Sequence, residues 1–243
     1  MFEILFLVGL IIFVTHTLEA ITGFGCTVLA FPFVIFLMDD LEQAKIVLSI
    51  LAWALAAYFV VTKFSSINWK QFGIILLLAG SGLPLGILMF KNLDAALLKK
   101  ILGVFIIISA AVQLFKCYVP DKGNWKLPSF VGYLFLFVGG IVHGAFAVGG
   151  PLIVLYSAGK LPDKSQFRAT MCLLWTTLNT VLILQYMNEG SLTLKIGQDL
   201  LFLLPFLIAG IVVGELIHKK VSEILFRKLI FSSLFLVGVA MVV

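Results

Sequence analysis

Three ionisable side chains stand inside apolar sequence: His16 and Glu19, three residues apart, and His143. Ionisable groups at such places are expensive to bury, and they mark substrate or ion paths by default. Residues at i and i+3 share a helical face, so His16 and Glu19 would look toward the same neighbour. Histidine titrates in the physiological range, and a histidine–carboxylate pair could pass on a proton. The histidines could equally hydrogen-bond backbone that a helix break has freed. A metal site needs further ligands at fixed spacing; none accompany these histidines, and no metal or cofactor is expected. Cys26, Cys117 and Cys172 lie far apart and read as small buried hydrophobes.

Two bases form a second set. Lys45 and Arg168 each open an apolar segment after a polar turn. Long basic side chains at a membrane surface snorkel and need no further role. Beside a binding site they could instead neutralise an anion, with Arg168 offering a bidentate fork and Thr170 a nearby hydroxyl. Two glycine-containing stretches complete the set: Thr22-Gly23-Phe24-Gly25 and Gly149-Gly150-Pro151. Glycine permits left-handed backbone and close approach, and the free amides that open a helix carry partial positive charge. The plainer reading of such glycines is close helix packing.

The elements that must hold these residues follow from composition. Hydrophobic residues make up 62% of the 243 and charged residues 12%, with a mean hydropathy of +1.17. Soluble domains are about half apolar and a quarter charged, so the excess faces lipid and the chain is an all-α polytopic membrane protein. The net charge of +5 sits in short clusters between apolar runs, as membrane flanks do, and does not point to nucleic acid. Met1-Phe2-Glu3 lacks the basic start of a signal peptide, so the first run is expected to stay as a span. Trp69 and Trp125 fall at expected interfaces, Trp53 and Trp175 in mid-span, and Glu215 near a span end.

The apolar runs are Phe2–Met38, Ile46–Val61, Phe72–Phe90, Ala95–Phe115, Pro128–Ala158, Ala169–Met187, Leu200–Ile217 and Ile224–Val243. As one helix, Phe2–Met38 would be roughly 55 Å long, against a hydrocarbon core of about 30 Å. It must break, and Gly23 and Gly25 lie near its middle. Pro128–Ala158 has the same excess and the same remedy at Gly149-Gly150-Pro151. Each is expected to form a helix and a shorter returning helix joined by unwound backbone.

The two breaks belong to a repeat. His143-Gly144-Ala145-Phe146 lies over His16-Thr17-Leu18-Glu19, Gln166-Phe167-Arg168 over Gln43-Ala44-Lys45, and Gly210…Gly214 over Gly82…Gly86. The chain divides into residues 1–118 and 125–243, joined by a turn at 119–124. Each half holds a broken hairpin followed by three transmembrane helices. If each broken run crosses twice, a half makes five crossings and the repeats are inverted; if once, four and parallel, and run length favours the inverted form. The distribution of Lys and Arg places loops 159–168 and 218–228 in the cytoplasm and both termini outside. Internal repeats with matched helix breaks point to a transporter with its site between them.

Gly23-Phe24-Gly25 with Pro32, then Gly140, Gly144 and Gly149-Gly150-Pro151, resemble the paired glycine-rich motifs of the sulfite exporter TauE/SafE family. Gly82…Gly86 and Gly210…Gly214, each before a basic turn and a last span, fit the same pattern, so the resemblance covers nearly the whole chain. It implies a secondary transporter of sulfite, sulfonates or other small organic anions, in a prokaryotic inner membrane. The expected binding residues are Thr22, Gly23, Phe24, Gly25, Lys45, Gly149, Gly150, Pro151, Arg168 and Thr170. The expected proton-coupling residues are His16, Glu19 and His143. A passive anion channel would share these features. A membrane-embedded enzyme would need a nucleophile, metal cluster or paired acids that the sequence does not offer.

Overall fold

The computed structural model describes residues 2–118, 129–161 and 163–217, with four isolated helical positions at 232, 235, 239 and 242. The expected midpoint turn, Trp125, the basic loop 218–228 and most of the last run lie outside these residues. Nine helices are described: α1 Phe2–Thr22, α2 Cys26–Met38, α3 Leu41–Thr62, α4 Trp69–Asn92, α5 Ala95–Tyr118, α6 Ser129–Phe146, α7 Gly150–Lys160, α8 Lys164–Glu189 and α9 Leu194–Ile217. Among the described residues there is no strand.

Polar turn residues start these helices by capping. Asp40, Asn68, Asp94 and Asp163 each accept the backbone N–H three residues on, from Gln43, Gln71, Leu97 and Gln166. Such caps satisfy one of the amides a helix start leaves open. Six helices (α1, α3, α4, α5, α8 and α9) are long and apolar enough to cross a membrane. The chain is a multi-pass integral membrane protein.

At 13 and 11 residues, α2 and α7 are only about 20 and 16 Å long, too short to cross alone. They fold back on the helices before them. A Cβ on Gly132 would touch Tyr156, one on Gly139 would touch Ile153, and Gly149 lies against Gly139 and His143. These pairings run in opposite directions along α6 and α7. Likewise α2 packs along α1. Both long runs are therefore broken hairpins, as their length requires.

The halves pack by exchange. α4 lies along α6 and its repeat mate α9 along α1, while the mates α3 and α8 lie against each other. Contacts along α3 and α8 run in opposite senses: Lys45 and Ser49 meet Tyr186, Trp53 meets Thr180, and Phe59 meets Arg168. Antiparallel mates are what an inverted repeat requires.

Glycine lets α4 and α6 touch backbone to backbone. A Cβ on Gly82 or Gly86 would fall on the Phe137 or Ile141 carbonyl oxygen, and one on Gly140 or Gly144 on the Ala79 or Leu83 oxygen. Two small-xxx-small faces thus interlock, a recurrent solution where lipid gives no hydrophobic drive to association. On the α1–α9 side only α9 supplies the pair, Gly210 and Gly214, against Phe13, Thr17 and Ala20.

Candidate functional site between the two helix breaks

The first break spans Gly23 to Gly25. Gly23 and Gly25 have φ of 85° and 111°, left-handed values that favour glycine. The turn is tied by the Thr22 hydroxyl, which donates to the Phe24 carbonyl at 2.8 Å. The second break differs from expectation. Its left-handed residue is Ala147, with φ of 58°, whereas Gly150 and Pro151 are already the first turn of α7. Proline has no N–H and a fixed φ, so it opens a helix more readily than it forms an unwound link. Gly149 has an ordinary φ of −64° and is small because it packs on the Gly139 carbonyl.

Helix starts at the two breaks are treated differently. Neither Gly25 nor Gly149 supplies a side-chain cap. At the first break Glu19 reaches over, and its Oε2 accepts the Cys26 N–H at 2.7 Å. A carboxylate thus holds the positive end of α2. In the repeat Phe146 stands where Glu19 does, and it can cap nothing. Among the described residues no side chain caps the start of α7.

A small cavity lies between the breaks. Glu19, Gly25, Thr27, Ala52, His143, Ala147, Val148, Gly150, Trp175 and Asn179 are among its walls. Trp175 on α8 donates from Nε1 to the Gly23 carbonyl at 3.1 Å and stacks on His143, ring centroids 5.6 Å apart. His143 Nε2 lies 3.1 Å from Asn179 Oδ1, and its Nδ1 is buried with no partner. One wall of the cavity is therefore a helix start and an amide, both able to donate to an oxyanion, beside an imidazole whose Nε2–H donates to Asn179 Oδ1 and whose Nδ1 donates only when the ring is protonated.

Not every expected residue reaches this cavity. Gly25, Gly150, Glu19 and His143 line it; Thr22, Gly23 and Phe24 form the adjoining turn. His16 does not line it: its Nδ1 sits 3.0 Å from the Ile12 carbonyl within α1, and its Nε2 is buried without a partner. No hydrogen bond joins it to Glu19 among the described residues. The Thr170 hydroxyl accepts the Asn68 N–H at 3.0 Å.

Lys45 and Arg168 are neither snorkelling nor in the cavity wall. They are 1% and 8% exposed. Lys45 Nζ donates to the Gly144 carbonyl at 2.9 Å and Arg168 Nη1 to the Ala20 carbonyl at 2.8 Å. Both acceptors lie in last turns, where the break removes the amide four residues on that would otherwise serve them. Asn179, Thr27 and Ala147 escaped the sequence reading. An amide in the apolar stretch around Asn179 was the one signal available for finding it. Among the described residues no three metal-ligating side chains cluster. Cys26 and Cys172 are buried free thiols. Trp69 is exposed, as a belt residue would be, and Glu215 accepts the exposed Tyr58 hydroxyl at 3.0 Å.

A matched pair of broken hairpins around a small cavity with polar side chains in its wall is a transporter's arrangement. The family model described as sulfite exporter TauE/SafE matches residues 7–241. The chain belongs to the sulfite exporter TauE/SafE family. That extent takes in both broken hairpins and the seam of α3 and α8. The family is one of anion transporters. No curated protein and no solved structure gives a match to the chain.

Proposed function

We propose that the protein is a secondary transporter that carries a small oxyanion, sulfite or a short sulfonate, by alternating access around this cavity. The observation that carries this reading is the unequal capping of the two returning helices. α2 is capped by Glu19; among the described residues no side chain caps α7, and its start opens on His143, Asn179 and Trp175. An anion there would meet backbone amides, which suit three-oxygen groups, together with the imidazole. Buried polar groups want partners, and His143 Nδ1, an acceptor in the neutral ring, becomes a donor to the anion when the ring takes up a proton. The binding set is thus Gly149 and Gly150 backbone, His143 and Asn179, with Gly23, Phe24 and Gly25 shaping the opposite wall. No enzyme activity is proposed.

Flux in proteoliposomes tests the reading. Sulfite and a C2 sulfonate should move, and a carboxylate of similar size should move less well, because a planar two-oxygen head uses fewer of the donors. Counter-substrate inside the vesicles should accelerate uptake, as a carrier requires; flux indifferent to it would indicate a channel.

Protons are the proposed coupling ion, with Glu19 and His143 as the groups that line the cavity and can hold one. Glu19→Gln keeps an oxygen for the Cys26 N–H and removes the charge. Its flux should persist and lose its dependence on an imposed pH gradient. Retained dependence in this variant would remove Glu19 from coupling.

The proposed orientation puts the Lys164 end of α8 in the cytoplasm and both termini outside, in a prokaryotic inner membrane. A single cysteine at Lys164, in a background without native cysteines, should resist an impermeant thiol reagent on intact cells. Labelling from outside would reverse the topology.

A further inference from the structure

The two buried bases form a pattern that substrate binding does not use. Lys45 belongs to the first half and caps α6 of the second; Arg168 belongs to the second half and caps α1 of the first. Each therefore ties its own half to the broken helix of the other. A cation at a helix C-terminus is favoured by the helix dipole as well as by the hydrogen bond. Aromatic faces hold both heads from the other side: Lys45 Nζ lies 3.9 Å from the centre of the Phe90 ring, and the Arg168 guanidinium 4.5 Å from that of Phe59.

Their placement along the bundle gives the pair a meaning. Arg168 stands over Phe59, fourteen residues beyond Lys45 on α3, which is roughly 21 Å. Ala52, in the cavity wall, lies midway between the two. The crossed bonds thus lie above and below the cavity, one toward each side of the membrane. Opening the cavity to one side requires the broken helix there to part from the seam of α3 and α8, α6 from α3 or α1 from α8, while α4–α6 and α1–α9 stay interlocked; the bond on that side stands across the parting. The bond on the far side can hold meanwhile.

We propose that Lys45→Gly144 and Arg168→Ala20 are the two gates of the transporter, each closing the cavity toward its own side of the membrane. Lys45 and Arg168 are then positioning residues that set which way the cavity faces, and they do not touch the anion. The inference deepens the alternating-access reading and rests on it.

The test uses Ala52→Cys as a reporter in the full chain, with Cys26, Cys117 and Cys172 replaced by alanine. An impermeant maleimide is applied from either side of oriented vesicles. Losing a charge-assisted hydrogen bond should shift a gate's equilibrium about ten- to a hundred-fold. Lys45→Met should therefore raise labelling by about that factor from the Lys45 side and lower it from the other. Arg168→Met should do the reverse, and Arg168→Lys, which can still cap a carbonyl, should return labelling toward the parent. If the methionine variants fail to insert, Lys45→Gln and Arg168→Gln keep a neutral donor and should show the same sidedness at smaller size. Labelling raised equally from both sides, or unchanged, would overturn the proposal. So would a fall in anion affinity without a change of sidedness, which would return the bases to the binding site. Labelling needs no substrate, so the two readings fail separately. Sided labelling without flux in the parent would reject transport and leave the gates, whereas flux without sided labelling would reject the gates alone.

Discussion

Gly150→Val should reduce transport to background while the protein still inserts and folds. A Cβ at Gly150 would lie 3.8 Å from the Phe24 ring and 4.0 Å from Trp175, ordinary contact distances. The first carbon therefore fits. The two further methyls of valine extend from a cavity-lining position, into the space proposed for the anion. Residue 150 precedes Pro151, and a branched residue is disfavoured in helical backbone there, so flux must be normalised to monodisperse protein. Gly150→Ala adds only the carbon that fits and should retain partial flux. The first break behaves differently. Gly23→Val places its Cβ 2.8 Å from the Arg168 Cα at a φ of 85°, so loss of transport there should come with loss of the folded protein. Normal flux in well-folded Gly150→Val would leave the breaks as packing devices.

The second large effect is expected far from the cavity. Gly140→Leu or Gly86→Leu should abolish assembly, because each would push a side chain into the facing helix's backbone oxygen. Neither α4 nor α6 can yield without parting along the whole interlocked face. Overpacking of side chains against side chains typically costs 1–3 kcal/mol; a collision with backbone on both helices should exceed that and remove most folded protein from detergent extracts. Gly73 lies on the same α4 with nothing within 4 Å of its Cβ position. Gly73→Leu should therefore give wild-type yield and melting temperature, measured by size-exclusion chromatography and thermal unfolding. Equal yields for Gly140→Leu and Gly73→Leu would contradict the backbone contact.

These two glycine classes show how far the sequence carries. Helix breaks at Gly23–Gly25 and before Pro151 were legible because two apolar runs exceed the membrane's thickness, an argument from length alone. The repeat was legible because His, Gly and the basic positions recur in order. The exact turn at the second break was not, since Ala147 rather than a glycine takes the left-handed conformation, and nothing in an alanine announces that. Asn179 was passed over because a single amide among apolar residues shows its value only when His143 is seen beside it. Lys45 and Arg168 stand out in the sequence as paired bases, and their partners are carbonyls of the opposite half. Which half a side chain reaches is a property of packing across the seam of α3 and α8, and no local pattern encodes it. The capping difference could have been read from the alignment of Phe146 with Glu19, yet it acquires meaning only once Glu19 is found on the Cys26 amide.

The proposed anion lies against the start of α7, beside Trp175. Replacing Trp53, Trp69 and Trp125 by phenylalanine leaves one indole, stacked on His143 in the cavity wall. Titrating this purified protein with sulfite, at constant ionic strength and pH, should change the Trp175 emission saturably. The same titration of the Gly150→Val form should give no change. A flat response in a protein that still carries sulfite across liposomes would place the anion elsewhere and contradict the site.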